Sequence, residues 1–373
     1  MPAVILPLEL QVEFYRYFLL LSLLSMTSVG IESIANIRFP RRKGQGFRLY
    51  GYLSLLLISS VLVLACYGLV LQFFYPDLLF LILCGIALNF KLLYISWLRI
   101  ERPDKLILFL IVDGLFVLCG CGFLFYVESA ETLLALILTT KLCAFMFFVT
   151  YDVSGPKKIW NRFTKVRFIH LKYLLLSCVV FFISSLFVVH QATILRTLSL
   201  QMLDDRNFVA LSVALSIAAN IQKLLLSYYW VIQKNIFSNN ISRVFIARQL
   251  KILPALVVVG VSLLWVALEL LNRFNLEASF SIQIILCGSF LMIHRLASAS
   301  VRGMTLSMYG VKAQFYRQLG SLLIILPSVG LLFALDIANF ILVLGVALSS
   351  EFLIVYVVPM LRGWQKLDER RDY

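Results

Sequence analysis

The strongest constraint on this chain is a series of long apolar runs, each about as long as a helix must be to cross a hydrocarbon layer. A crossing takes about 20 mainly apolar residues. Eleven such runs can be read, at 12–36, 50–74, 76–98, 106–127, 131–151, 171–195, 207–233, 249–272, 279–301, 314–335 and 338–361. They are continuously apolar rather than alternating, which excludes a transmembrane β-barrel. Inside a bilayer the backbone must satisfy its own N–H and C=O groups, and a helix does so within one segment. The expected fold is an all-α integral membrane protein with about eleven transmembrane helices. Composition agrees: 61% of residues are hydrophobic and 14% charged, where a soluble domain carries about 25% charged residues.

The net charge of +14 could mark a nucleic-acid binder or a membrane protein with basic cytoplasmic loops. Its distribution decides. Of 33 Lys and Arg residues, 25 fall in alternate loops and the C-terminal tail. "IRFPRRKGQGFR" holds Arg38, Arg41, Arg42, Lys43 and Arg48. The segment 99–105 follows, then 152–172, 234–251, 302–317 and 362–371. The opposite side holds only Arg16, Arg196, Arg206 and Arg273, and the remaining four bases lie deep within spans. Lys and Arg accumulate on the cytoplasmic side. The C-terminus is therefore expected in the cytoplasm and, with eleven spans, the N-terminus outside. Nucleic acid is not needed to explain the charge.

The seven cysteines all lie in apolar runs and form no C-x-x-C pair; they read as small buried residues. The first residues, "MPAVILPLELQV", lack a basic start and a small-residue cleavage site, so no cleavable signal peptide is expected.

Internal repetition is the next signal. "LPLELQVEFYRYFLLLSLLS" at 6–25 is similar to "LSLQMLDDRNFVALSVALSI" at 198–217. Both read Leu-x-Leu, a short polar stretch with an acid and an aromatic, then a serine-containing span. The longest basic loop, 152–172, divides the chain into a five-span bundle at 1–151 and a six-span bundle at 173–373 with its cytoplasmic tail. If the first span matches the seventh, the sixth opens the second half, and the first half lacks a counterpart helix.

In this layout and in its Leu-x-Leu entry, the chain resembles polysaccharide flippases of the multidrug/oligosaccharidyl-lipid/polysaccharide superfamily. The resemblance is clearest at 6–40 and 170–240, and the absent first helix is a departure from the pattern. It implies two pseudo-symmetric bundles (5 + 6) around a central cavity. It also implies a bacterial inner-membrane transporter that flips a lipid-diphosphate-linked oligosaccharide to the outer leaflet by alternating access, for surface polysaccharide such as O-antigen or capsule. Other polysaccharide assembly proteins would be its partners, alongside membrane lipids. No cofactor is implied beyond an H+ or Na+ gradient.

Chemistry would reside in the ionisable residues within spans, which at such depth usually face a bundle interior or a watery cavity. Four are cations (Lys91, Lys141, Lys223 and Arg295) and two are acids (Asp113 and Glu351). A charge at the bilayer centre costs roughly 2.5–3.5 kcal/mol on insertion scales. Counting from the cytoplasmic ends, Lys91, Asp113 and Arg295 lie roughly 10 Å deep, and Lys141, Lys223 and Glu351 roughly 15 Å. The cations are expected to bind substrate, since ammonium and guanidinium groups gain most from a diphosphate where water is scarce. Asp113 and Glu351 are expected in coupling or ion pairing, with Asp113–Lys141 and Glu351–Lys223 as depth-matched pairs. Plainer readings stand beside these. Lys91 can snorkel to the interface, and it lies about 200° around the helix from Asn89. His190 and His294 read as satisfied structural histidines, and Pro254 and Pro327 as static kinks.

Rival functions are a membrane enzyme of polysaccharide assembly, a receptor-like protein and a drug exporter of the same superfamily. The longest outer loop, 196–206, is short for enzyme chemistry, and no H-E-x-x-H, G-x-S-x-G or Asp-rich metal motif occurs. Eleven spans in two halves argue against a receptor. A net positive interior disfavours the cationic substrates of drug exporters.

Overall fold

The computed structural model describes residues 7–24, 102–123, 127, 129–151, 203–237, 243–273, 280–297 and 352–358. It also describes single positions: 91, 94, 95, 98, 196, 200, 320, 323, 324, 327, 349 and 350. The expected spans 50–74 and 171–195 and the 152–172 loop lie outside these residues, as does most of 76–98, 314–335 and 338–361. The described part is helical, with no strand among the described residues. In chain order it comprises α1 (Leu8–Leu24), α2 (Pro103–Cys121), α3 (Ala130–Tyr151), α4 (Asp205–Phe237), α5 (Arg243–Arg273), α6 (Ile282–Ala297) and a π-helical turn at Phe352–Val357.

Two stretches are long and apolar enough to cross a membrane: Ala130–Tyr151 and, within α5, Lys251–Arg273. A core helix of a soluble protein passes the same length test but hides its apolar surface. Here only 28% and 17% of the two apolar windows are buried. The exposed residues of α5 include Val258, Val259, Leu263, Val266 and Leu270. Water does not favour such a surface and lipid does.

Helix ends follow local chemistry. Pro103 opens α2, where its missing N–H costs nothing. The α2 helix stops at Cys121, short of the expected 127, where Gly122 and Phe123 bond back to the carbonyls of Cys119 and Gly120. Ser129 caps α3: the Thr132 N–H donates to its hydroxyl, and its own N–H donates to the Thr132 hydroxyl, both at 3.1 Å. This is a reciprocal cap with Thr in the place usually taken by Glu or Gln. Glu131 in the first turn of α3 and Asp205 in that of α4 complement the helix dipoles. The α5 helix begins at Arg243, six residues before the expected span. It runs through Pro254, whose ring removes the donor for the Leu250 carbonyl.

The chain forms two compact units. One holds residues 2–6 and 13–189, and is called here the N-terminal unit; the C-terminal unit holds Met1, 7–12 and 190–373. The dividing point at Val189 falls later in the chain than the 152–172 loop.

In the N-terminal unit, α2 and α3 pack antiparallel. Phe109 meets Phe148 edge-on at 5.1 Å, Phe116 meets Phe147 at 5.7 Å, and Gly120 faces Thr140. A Cβ on Gly120 would collide with the Thr140 Cγ2, so this approach requires glycine. The buried residues of α3, Leu133, Leu134, Leu138, Ala144 and Phe148, recur at helical spacing and form one stripe. The Tyr17 hydroxyl of α1 lies 3.2 Å from the Glu131 carboxylate and 3.4 Å from that of Glu13.

In the C-terminal unit, α4, α5 and α6 meet around Gly260. A Cβ there would lie 3.0 Å from Leu225, 3.3 Å from Leu296 and 3.4 Å from Met292. The Trp265 indole donates to Ser289 at 3.1 Å. Asn272 bridges the α5–α6 connection, accepting from the Phe280 N–H at 2.9 Å and donating to its carbonyl at 3.4 Å. Residues 208–215 of α4 are all buried, so the helix is enclosed for two turns after its exposed start at Asp205 and Arg206.

Candidate functional site

The N-terminal unit holds an ion pair. The Lys91 ammonium donates to the Asp113 carboxylate. It also lies 5.6 Å from the centre of the Phe109 ring, close enough for a cation–π contact. Tyr94, one turn on from Lys91, packs edge-on against Phe109, Phe145 and Phe148 at 5.8–6.2 Å. These rings exclude water from one side of the pair. Lys91 is buried and Asp113 partly so. Removing one partner of such a pair leaves an uncompensated charge and typically costs about 3–5 kcal/mol.

Asp113 thus takes Lys91 as its partner and not Lys141, which depth alone had matched to it. The α2–α3 register gives the reason. The contacts Gly120–Thr140 and Phe116–Phe147 set Lys141 roughly level with Cys119. That is about six residues, or roughly 9 Å, along α2 from Asp113. Lys141 is half-buried on the same face as the α3 stripe, three residues after Leu138 and three before Ala144. It makes no hydrogen bond or ion pair among the described residues.

The C-terminal unit gathers a second group along α4. Arg295, half-buried on α6, points its Nη1 at the Gln222 side-chain oxygen, 3.5 Å away. His294 beside it is buried. Arg196 is buried too: its Nη2 donates to the Ser212 carbonyl at 3.2 Å and to the Ser216 hydroxyl at 2.7 Å. The Ser216 hydroxyl in turn donates to the Ser212 carbonyl at 2.8 Å.

Arg196 is a buried cation that sequence reasoning counted only as a loop charge. The loop count assigned it to the outer side, and its side chain is buried against Ser212 and Ser216 of α4. The available signal was its position directly behind the 171–195 apolar run, combined with the Ser212/Ser216 pair one turn apart on α4.

Lys223 belongs to α4, and its side chain lies outside the described residues; so do Glu351, Asn89 and His190. The π-helical turn at Phe352–Val357 begins directly after Glu351, and such turns recur at functional sites. Asn220 is exposed, and Pro327 is helical and exposed. No protein-family model, curated protein or solved structure matches the chain.

Proposed function

We propose that this chain is a multi-pass bacterial inner-membrane transporter of about eleven spans in two related bundles, with a cytoplasmic C-terminus. In this reading it flips a lipid-diphosphate-linked oligosaccharide to the outer leaflet by alternating access. The basic-loop asymmetry supports the topology. The observation that carries the function is Lys141: a cation near the middle of an apolar helix long enough to cross a bilayer, without a hydrogen bond or ion pair among the described residues. A charge at that depth is kept against a standing cost. Lys91, by contrast, is engaged by Asp113, so its role is structural or coupling. Lys141 and Arg295 are the residues assigned to the diphosphate, with Lys223 as a further candidate. A cationic drug would be repelled by these groups.

The test is surface glycan in a bacterial strain lacking its own flippase, with protein level followed in parallel. Lys141→Ala and Arg295→Ala are each expected to lower export at least tenfold at normal protein level, the loss of a charge-assisted contact. Lys141→Arg should rescue only in part, because a planar fork does not reproduce a point charge. Normal export by both alanine variants would overturn the assignment of these cations.

A further inference from the structure

The exposed face of α5 ends in free positive charge at one end only. Ala255, Val258, Val259, Ser262, Val266 and Leu270 are exposed and recur at three- and four-residue spacing, so they form one stripe along the helix. The face opposite, with Gly260, Leu264, Leu268 and Leu271, is buried. Lys251 is exposed and continues the stripe, four residues before Ala255. It makes no hydrogen bond or ion pair among the described residues. Arg248 belongs to the same helix, three residues earlier, and its register position falls on the same stripe. Positions three apart on a helix are neighbours. At the far end the stripe closes with Arg273, whose Nε lies 3.6 Å from the Glu269 carboxylate. That pair leaves no net charge there.

Depth gives the two cations a partner. The apolar stretch of α5 begins at Lys251. Outside the hydrocarbon lies a headgroup layer of roughly 5–8 Å on each side. Arg248 is roughly 4.5 Å further out along the axis, within that layer, whereas Arg243 is roughly 12 Å out and past it. We propose that this end of α5 holds an anionic phospholipid, its phosphate at Lys251 and Arg248 and an acyl chain along Ala255, Val258 and Val259. The inference rests on the membrane-spanning part of the transporter reading and adds to it the class of lipid that α5 selects. A zwitterionic headgroup carries its own ammonium to the same place and gains less from the two cations. Each Lys or Arg near an anionic lipid surface gives about a fivefold preference, so the pair gives roughly 25-fold.

The test compares two photoactivatable lipids, phosphatidylglycerol and phosphatidylcholine, each with a diazirine in one acyl chain. The full chain is reconstituted in phosphatidylcholine nanodiscs with a trace of one probe or the other. Labelled residues are mapped by peptide mass spectrometry. The phosphatidylglycerol probe is expected to label the first half of the α5 stripe roughly 25-fold more than the phosphatidylcholine probe. Lys251→Gln and Arg248→Gln should each lower that ratio about fivefold, and the double variant should bring it near one. Lys251→Arg should keep the ratio, since the charge is kept. Arg273→Gln should leave it unchanged. High salt should lower it in the parent protein, because the contact is electrostatic.

Equal labelling by the two probes in the parent overturns the site while leaving α5 in contact with lipid. A ratio retained by the double variant overturns it too, as does an equal fall in Arg273→Gln. Labelling of α5 by neither probe means that protein covers the stripe, a second copy of the chain included, and removes the site together with the lipid-facing reading of this helix. If the double variant fails to fold, the salt series decides: a ratio indifferent to salt overturns the site. The site and the flippase reading fail separately. A chain that exports no glycan but keeps the probe ratio loses the flippase reading and keeps the site. One that exports glycan with equal labelling loses the site and keeps the flippase reading.

Discussion

Lys91 and Asp113 lie 22 residues apart and close an ion pair beside the face of Phe109. Each comes from an otherwise apolar stretch, so each would be a liability without the other. The pair joins the helical residues around Tyr94 to α2, and the ring cluster of Tyr94, Phe109, Phe145 and Phe148 extends the join to α3.

A double-mutant cycle should expose this dependence. Lys91→Met and Asp113→Leu are each expected to destabilise the protein by about 3–5 kcal/mol, because each strands a charge away from water. The double variant should recover most of the loss, since two apolar side chains of similar size replace the pair. Thermal unfolding in detergent reads the effect. Losses that simply add would show that the two residues do not stabilise each other.

Steric approach at Gly120 gives a second expectation. Gly120→Ala should cost about 1–3 kcal/mol, as overpacking does, despite the better helix propensity of alanine. Thr140→Ser removes the methyl that the new Cβ would strike and should restore part of the stability. A Gly120→Ala protein as stable as the parent would mean that α2 and α3 do not meet here.

Topology is open to a direct check. Reporter fusions at residue 2 and residue 160 are expected on opposite sides of the membrane, with residue 160 in the cytoplasm. The reason is the concentration of Lys and Arg in alternate loops. Both reporters on one side would refute the eleven-span arrangement.

The apolar runs foretold the described helices well, because a stretch such as 131–151 has only one way to satisfy its backbone in a dry environment. Ends were harder to read. The run at 106–127 stays apolar past Cys121, and hydropathy does not register the turn at Gly122 and Phe123. Partner choice was harder still. Depth along a span matched Asp113 to Lys141, but the partner is set by the register of α2 against α3, which depends on the close approach at Gly120. Arg196 escaped for a related reason: counting it as a loop charge ignored the carbonyl and hydroxyl that α4 presents one turn apart.

Pro254 has a consequence for how α5 would rest in a bilayer. The carbonyl of Leu250, deprived of its helical donor, has to be satisfied by water or another polar group. It lies one residue before Lys251, where the apolar stretch ending at Arg273 begins. That stretch of 23 residues rises roughly 34 Å, a little more than the roughly 30 Å of hydrocarbon. With Lys251 at one end and Arg273 at the other, the bare carbonyl falls at the waterline. Sinking the helix by a turn would drag an unsatisfied oxygen into the lipid, and raising it would lift apolar residues out. In a bilayer the proline would therefore serve as a draught mark for the depth of the helix.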